Sequence, residues 1–201
     1  MDEIVSSVLE DYHARIERER NLPRPASRDD IDERLLAVGP ETGRLINILA
    51  RSLQTPTILE IGTSYGYSGI WLAEAARASG GKVITLELQD YKSAHAREKA
   101  REAGLEGHID FRVGNALQLI EGLDEKIDFV LLDLWKDLYV PALRAFYPRL
   151  NPGAIVVADN MIRPGGENAR LYSEAVRALP GMTSVLLPVG TGIEVSRYDP
   201  L

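Results

Sequence analysis

The chain has 201 residues, 23 Lys and Arg against 30 Asp and Glu, a net charge of −7, and no cysteine. That length suits one domain with a sizeable core; the missing cysteines exclude disulfides, thiolate zinc sites and cysteine nucleophiles. The acidic balance disfavours nonspecific binding to nucleic acid or an anionic membrane.

Residues 2–20 place Ile4, Val5, Val8, Leu9, Tyr12 and Ile16 at helical spacing. Pro23 and Pro25 close this helix. Its acidic, amphipathic start lacks the basic-then-apolar order of a signal peptide, and no apolar run approaches the ~20 residues of a membrane span. A cytoplasmic location is therefore expected, with no membrane partner. A weak segment with Leu35, Leu36 and Val38 follows. Pro40 then stands where a helix accepts a first-turn proline, and Leu45, Ile46, Ile48 and Leu49 mark an apolar face to about Leu53. From Thr57 apolar runs of strand length (TILEI, VITLEL, IDFRV, DFVLLD, AIVVAD) alternate with helical segments. Near-continuous apolar runs of this kind signal a parallel sheet covered on both faces. TSVLLPV and IEVSRY flank Gly190-Thr191-Gly192 and predict a terminal antiparallel hairpin. The expected organisation is one α/β domain over 1–201, with N-terminal helices at 1–54, a core at 55–180 and the hairpin at 181–201.

Doubly wound sheets bind ligands beyond the carboxyl ends of their strands. Those tails carry Glu60-Ile61-Gly62, Glu87, Gly114-Asn115, Asp133 and Asp159-Asn160, a concentration of carboxylates suited to cations or hydroxyls. The first tail runs into Gly62-Thr63-Ser64-Tyr65-Gly66-Tyr67-Ser68-Gly69. A dinucleotide loop needs G-x-G-x-x-G, and these glycines are spaced otherwise. Gly62–Gly66 matches G-x-S-x-G literally, but a hydrolase triad needs a late histidine, and His13, His95 and His108 all come early. The third reading is a nucleoside without phosphates. Glu87 would accept from ribose hydroxyls, the glycine turn would admit an amino-acid tail, and Asp133 would lie beside it, as S-adenosylmethionine requires. Asp133, Asp159 and Asn160, on neighbouring strand ends, form a hard oxygen set suited to Mg²⁺. Lys136, three residues after Asp133, could serve as a base.

The segments LEIGTSYGYS, LDLWKDLY and VVADNMIRPG, with Glu87 between them, resemble the metal-dependent class I O-methyltransferases, the catechol and caffeoyl-CoA O-methyltransferase group. The resemblance spans about Val38 to Pro164 and extends loosely to the hairpin. It implies a seven-stranded sheet in the order 3-2-1-4-5-7-6, strand 7 antiparallel, with helices on both faces. It also implies methyl transfer from S-adenosylmethionine to a hydroxyl of a small phenolic or catechol-like substrate with Mg²⁺ assistance. By matching position, Glu60, Gly62 and Ser68 would contact the methionine part and Glu87 the ribose. Asn115, Ala116 and Trp135 would surround the adenine, and Val38 would touch the cofactor through its backbone. Asp133 would serve cofactor and metal, Asp159 and Asn160 would complete the metal set, and Lys136 would be the catalytic base. The likeness stops at two places. Leu187-Pro188-Val189-Gly190 carries no acid where the catechol enzymes place one, and neither Trp71 nor Trp135 matches their N-terminal gatekeeper.

The three histidines sit in polar contexts and are expected to face solvent. Tyr65 and Tyr67 read equally as pocket or core residues. A homodimer is the expected assembly, with the first helix as its element unless that helix folds over its own active site. The alternatives are a non-catalytic S-adenosylmethionine-binding module and a methyltransferase acting on RNA or protein. Lys136 together with all three ligand candidates argues against the first. The absence of a basic recognition segment argues against the second and against a nucleic-acid partner.

Overall fold

The computed structural model describes residues 1–23 and 28–200. Pro25, expected to help close the first helix, lies outside them, as does Leu201 at the end of the expected domain. Helix α1 (Glu3–Arg20) begins where the Asp2 carboxylate accepts from the Val5 amide at 2.9 Å, an N-cap that satisfies one orphan donor. A five-residue helix α2 (Arg28–Asp32) stands where the pattern predicts no element, and α3 (Pro40–Arg51) starts at its proline as expected. Strand and helix then alternate: β1 (Thr57–Ile61), α4 (Tyr67–Ser79), β2 (Lys82–Glu87), α5 (Asp90–Glu102), β3 (Ile109–Val113), α6 (Ala116–Glu121) and β4 (Ile127–Leu132). After α7 (Tyr139–Phe146), β5 (Leu150–Ala158) and α8 (Glu167–Ala178) comes the hairpin β6 (Met182–Leu187) and β7 (Ile193–Tyr198).

The seven strands form one sheet in the order β3-β2-β1-β4-β5-β7-β6, with β7 antiparallel to both its neighbours. Successive strand residues alternate between two cores. Ile58, Phe129, Leu131, Ile155 and Val157 face the layer of α1, α3, α4 and α5. Leu59, Ile61, Val130, Leu132 and Val156 face α6, α7 and α8. Burial on both faces is why these strands read as unbroken apolar runs. The apolar face of α1 (Val5, Val8, Leu9, Tyr12) is spent inside this chain, against α4 and α5. Tyr12 donates to the carbonyl of Tyr65 at 2.6 Å and so ties α1 to the glycine loop.

Register positions everything that follows. Ile61 pairs with Leu86 and with Leu132, and Leu132 pairs with Ala158. The ladder continues one residue further: the Gly62 amide donates to Leu86 O, Asp133 to Ile61 O and Asp159 to Leu132 O, at 3.0 to 3.1 Å. Gly62, Glu87, Asp133 and Asp159 therefore stand in a row along the carboxyl edge. No helix among the described residues is long and apolar enough to cross a membrane.

Candidate active site

At Gly62 the backbone has φ +109°, and a Cβ there would collide with the Asp133 carbonyl. Only glycine lets the loop cross the end of β4 this closely. The loop is then pinned through Glu87. One carboxylate oxygen accepts from the Ser64 amide at 2.7 Å, and the other from the amides of Leu88 and Gln89 at 2.9 and 3.1 Å. A carboxylate has about four acceptor sites, so capacity for a ribose hydroxyl remains. The Ser64 hydroxyl donates to the Leu35 carbonyl at 3.2 Å rather than to a histidine, which removes the nucleophile-elbow reading.

Glu60 shares its face of β1 with Ile58 and is fully buried beneath α4. One oxygen accepts from the Thr85 hydroxyl, whose single proton is thereby committed, so Thr63 donates to Thr85. The other oxygen has no hydrogen-bond partner among the described residues. Burial pushes the Glu60 carboxyl up to about 7, against the pull of the Ser68 and Thr85 hydroxyls. A buried carboxylate with one oxygen unpartnered, beside a glycine cradle, fits the ammonium of an amino-acid tail. Because its folded pKa lies above the ordinary 4.5, Glu60 costs the ligand-free protein stability as pH rises from about 4.5 to 7. Glu60→Gln is expected to flatten the fall of Tm between pH 5 and pH 8, followed by thermal scans without ligand.

The second cluster joins the tails of β4 and β5. Asp159 is fully buried, and Asn160 adopts a left-handed φ of +56°. Its amide oxygen accepts from Lys136 Nζ at 2.8 Å, and Lys136 Nζ lies 3.9 Å from Asp133 Oδ1. The ammonium also donates to Leu134 O and to Tyr139 Oη. Tyr139 is buried in turn, and its hydroxyl reaches Leu132 O and Asp159 O at 3.0 Å each, so it must accept from the lysine. Burial pushes Asp133 up to about 7, and Asp159 facing it adds to that shift. Burial also raises Asp159, opposed by the Asn160 amide and the Thr191 hydroxyl, and lowers Lys136, opposed by both aspartates. Two carboxylates, both raised by burial and balanced here by one ammonium, stand around an amide oxygen. That fits a hard divalent cation. Among the described residues no three His, Cys, Asp or Glu side chains gather as a metal-binding group, and a cation held here would need the amide oxygen of Asn160 beside the two aspartates.

The remaining expected contacts fall around this edge. Ser68 is buried in the first turn of α4, and Val38 is buried just before α3. The Asn115 side-chain oxygen is engaged as the cap of α6, accepting from Leu117 and Gln118 amides, and Ala116 opens that helix. Its oxygen is therefore a cap first, and any adenine contact from it must share that oxygen or use another atom. Trp135 is 44% exposed and Leu88 70% exposed. In the sequence Leu88 closes the VITLEL run and reads as strand; the strand instead ends at Glu87 and leaves Leu88 at the surface beside it. A segment from Asp32 to Leu35 also lies over the glycine loop. Tyr65 Oη donates to Asp32 O at 3.1 Å, and Lys92 and Gln89 hold the Asp32 carboxylate. Of the aromatic pair, Tyr67 is core and Tyr65 is half-buried. The histidines, expected to face solvent, are each only partly exposed. His13 bonds Tyr67 Oη at 2.9 Å, and His95 packs edge-on against Tyr65.

A sheet of this order, with a glycine turn after β1, an acid at the end of β2 and a lysine among oxygen donors beyond β4 and β5, fits a nucleoside-cofactor transferase. Residues 59–161 match the family model described as a methyltransferase domain. The chain is 34% identical over 179 residues to a catechol O-methyltransferase of Niastella koreensis, covering 82% of this chain and 79% of that one. It is 27% identical to caffeoyl-CoA O-methyltransferase 2 of Eucalyptus globulus, over 81% and 75%. The solved O-methyltransferase of Streptomyces achromogenes involved in tomaymycin synthesis, in complex with SAM, superposes with a TM-score of 0.79 at 29% identity, covering 99% of this chain and 91% of that one. The chain belongs to the class I S-adenosylmethionine-dependent O-methyltransferase family.

Proposed function

We propose that this chain methylates a hydroxyl of a small phenolic or catechol-like acceptor, with a divalent cation, Mg²⁺ or a similar hard ion, held by Asp133, Asp159 and Asn160. The observation that carries the reading is Lys136 Nζ, 2.8 Å from the Asn160 amide oxygen and 3.9 Å from Asp133, at the edge where the glycine loop crosses β4. The names of the catechol and caffeoyl-CoA relatives support the acceptor class.

S-Adenosylmethionine supplies an electrophilic methyl group on a sulfonium, and a divalent cation would favour the ionised acceptor oxygen. This chain's residues supply the rest. Glu60 and the Gly62 turn would hold the amino-acid tail, Glu87 the ribose, and Leu88 and Trp135 apolar surface beside the base. Lys136 would take the acceptor's proton at Nζ. A phenol is mostly protonated at neutral pH, since its pKa lies near ~10. The burial that lowers the Lys136 pKa brings that base closer to working pH. The acceptor oxygen would receive the methyl group of the bound cofactor, whose carbon–sulfur bond gives its electron pair back to sulfur, while Glu60, the Gly62 turn and Glu87 would hold the cofactor in place. Alignment of the three atoms is the enzyme's other task.

The test is a panel of phenols, catechols and thioester-linked phenolics with labelled cofactor, with and without Mg²⁺. Metal-dependent label transfer to at least one class is expected; transfer to none, with cofactor bound, would reject the acceptor assignment. Glu87→Ala is expected to weaken cofactor binding by roughly 1.5–3 kcal/mol, the scale of hydrogen bonds to a charged group. Part of that loss comes from the freed Ser64 amide, and calorimetry with S-adenosylhomocysteine measures it.

A further inference from the structure

The Gly190-Thr191-Gly192 turn between β6 and β7 lies far in sequence from the strand ends, yet it reaches them. The Thr191 hydroxyl donates to Asp159 Oδ1 at 2.8 Å and accepts from Asn160 Nδ2 at 3.0 Å. A threonine hydroxyl has one proton. With that proton on Asp159, it can only accept from Asn160, which demands the nitrogen of that amide. The Lys136 ammonium, which can only donate, takes the oxygen on the other side. The Asn160 amide is thus fixed from two directions, with its oxygen turned into the cluster. Asp159 accepts from the Thr191 hydroxyl on one oxygen and, more weakly, from the Asn160 amide nitrogen on the other, at 3.3 Å.

The turn that presents this hydroxyl is itself wedged in place. A Cβ at Gly190 would strike the Thr42 hydroxyl of α3, and a Cβ at Gly192 would strike Ile162. The Thr191 carbonyl accepts from the amides of Ile162 and Arg163 at 3.1 and 2.8 Å, and Gly192 O accepts from Met161. Those five residues, 159–163, leave β5 and carry two of the three proposed ligands at their head.

We propose that Thr191 is a positioning residue for the cation site. Its hydroxyl orients Asp159 and Asn160 so that both present oxygen to one hard divalent ion. This rests on the metal reading above and adds to it a residue outside the three ligands. Outer hydrogen-bond partners of metal ligands typically govern affinity by 10–100-fold. Without the hydroxyl, the Asn160 nitrogen and Asp159 Oδ1 each lose a partner, and the orientation of the ligand pair rests on Lys136 and the long Asn160–Asp159 contact alone.

The experiment titrates Mn²⁺, a hard oxygen-seeking probe, into the protein held with S-adenosylhomocysteine, read by calorimetry and by the Mn²⁺ electron paramagnetic resonance signal. Thr191→Val keeps the shape and removes the hydroxyl; Thr191→Ser keeps the hydroxyl. Val is expected to weaken Mn²⁺ binding about 10–100-fold, and Ser to restore it, while S-adenosylhomocysteine affinity stays at the wild-type value in both. A merely structural role would instead lower Tm and cofactor affinity together. Should Val fail to hold S-adenosylhomocysteine, the pair Thr191→Ser and Thr191→Ala, both smaller than threonine, decides by the same comparison. Equal Mn²⁺ affinity with and without the hydroxyl overturns the role of Thr191 alone. A wild type that binds S-adenosylhomocysteine but no Mn²⁺ overturns the metal reading and this inference with it.

Discussion

Lys136→Ala is expected to lower kcat by ~10²–10⁴-fold, the usual worth of a positioned base, with cofactor affinity unchanged. The loss should shrink as pH rises, because the acceptor then ionises without help. The lysine is held by Leu134 O, Tyr139 Oη and Asn160 Oδ1, and burial lowers its pKa. Lys136→Arg separates two roles. A guanidinium keeps the charge but does not give up its proton near neutral pH. If Lys136 accepts a proton, Arg should fall as far as Ala at pH 7; if it serves only as a fixed charge, Arg should retain much of the rate. Rates between pH 6 and pH 9, alongside calorimetry for the cofactor, decide the question. A Lys136→Arg enzyme of near wild-type kcat would remove the base assignment.

The strand-end row was legible because two regularities compound. Apolar runs buried on both faces mark parallel strands, and parallel strands in register bring their tails to one edge. Gly62, Glu87, Asp133 and Asp159 could therefore be placed together before any coordinate was known, and the ladder hydrogen bonds at Gly62, Asp133 and Asp159 put them there. What escaped depends on contacts between distant segments. Helix α2 is five residues long with no periodic face. Nearby, Leu35 N bonds Glu19, while Lys92 and Gln89 grip Asp32. Thr191 lies 32 residues from Asp159, and a Gly-Thr-Gly turn signals only a hairpin. Tyr139 follows an apolar helix pattern, so its ring reads as core; only the packed structure shows its hydroxyl under Lys136. The histidines were misplaced because a polar helix stretch was read as solvated all round. His13 instead meets Tyr67 where α1 lies on α4, and His95 on α5 meets Tyr65 of the glycine loop.

Removing the divalent cation is expected to have the other large effect. In chelator the wild type should lose metal-dependent turnover, and Asp159→Asn should fall to that same level with Mg²⁺ present while binding cofactor normally. Asp133→Asn should damage both, since in the proposed reading its carboxylate serves ion and cofactor alike, and here it faces Asp159 and Lys136 beside the glycine loop. The pH dependence has a definite sign. The folded Asp133 carboxyl lies at about 7 and its ordinary value at 3.8, so the metal-free protein loses stability from this group as pH rises through that interval. A cation binds the ionised form, so below about pH 7 each further unit of acidity should weaken Mn²⁺ binding by up to about tenfold. Added Mg²⁺ should accordingly raise Tm more at pH 8 than at pH 6. Thermal scans with and without EDTA at the two pH values measure this directly. Methylation that proceeds undiminished in EDTA, with no Mg²⁺ effect on Tm at pH 8, would leave Asp159 and Asn160 as a turn braced by Thr191, and the reaction to Lys136 alone.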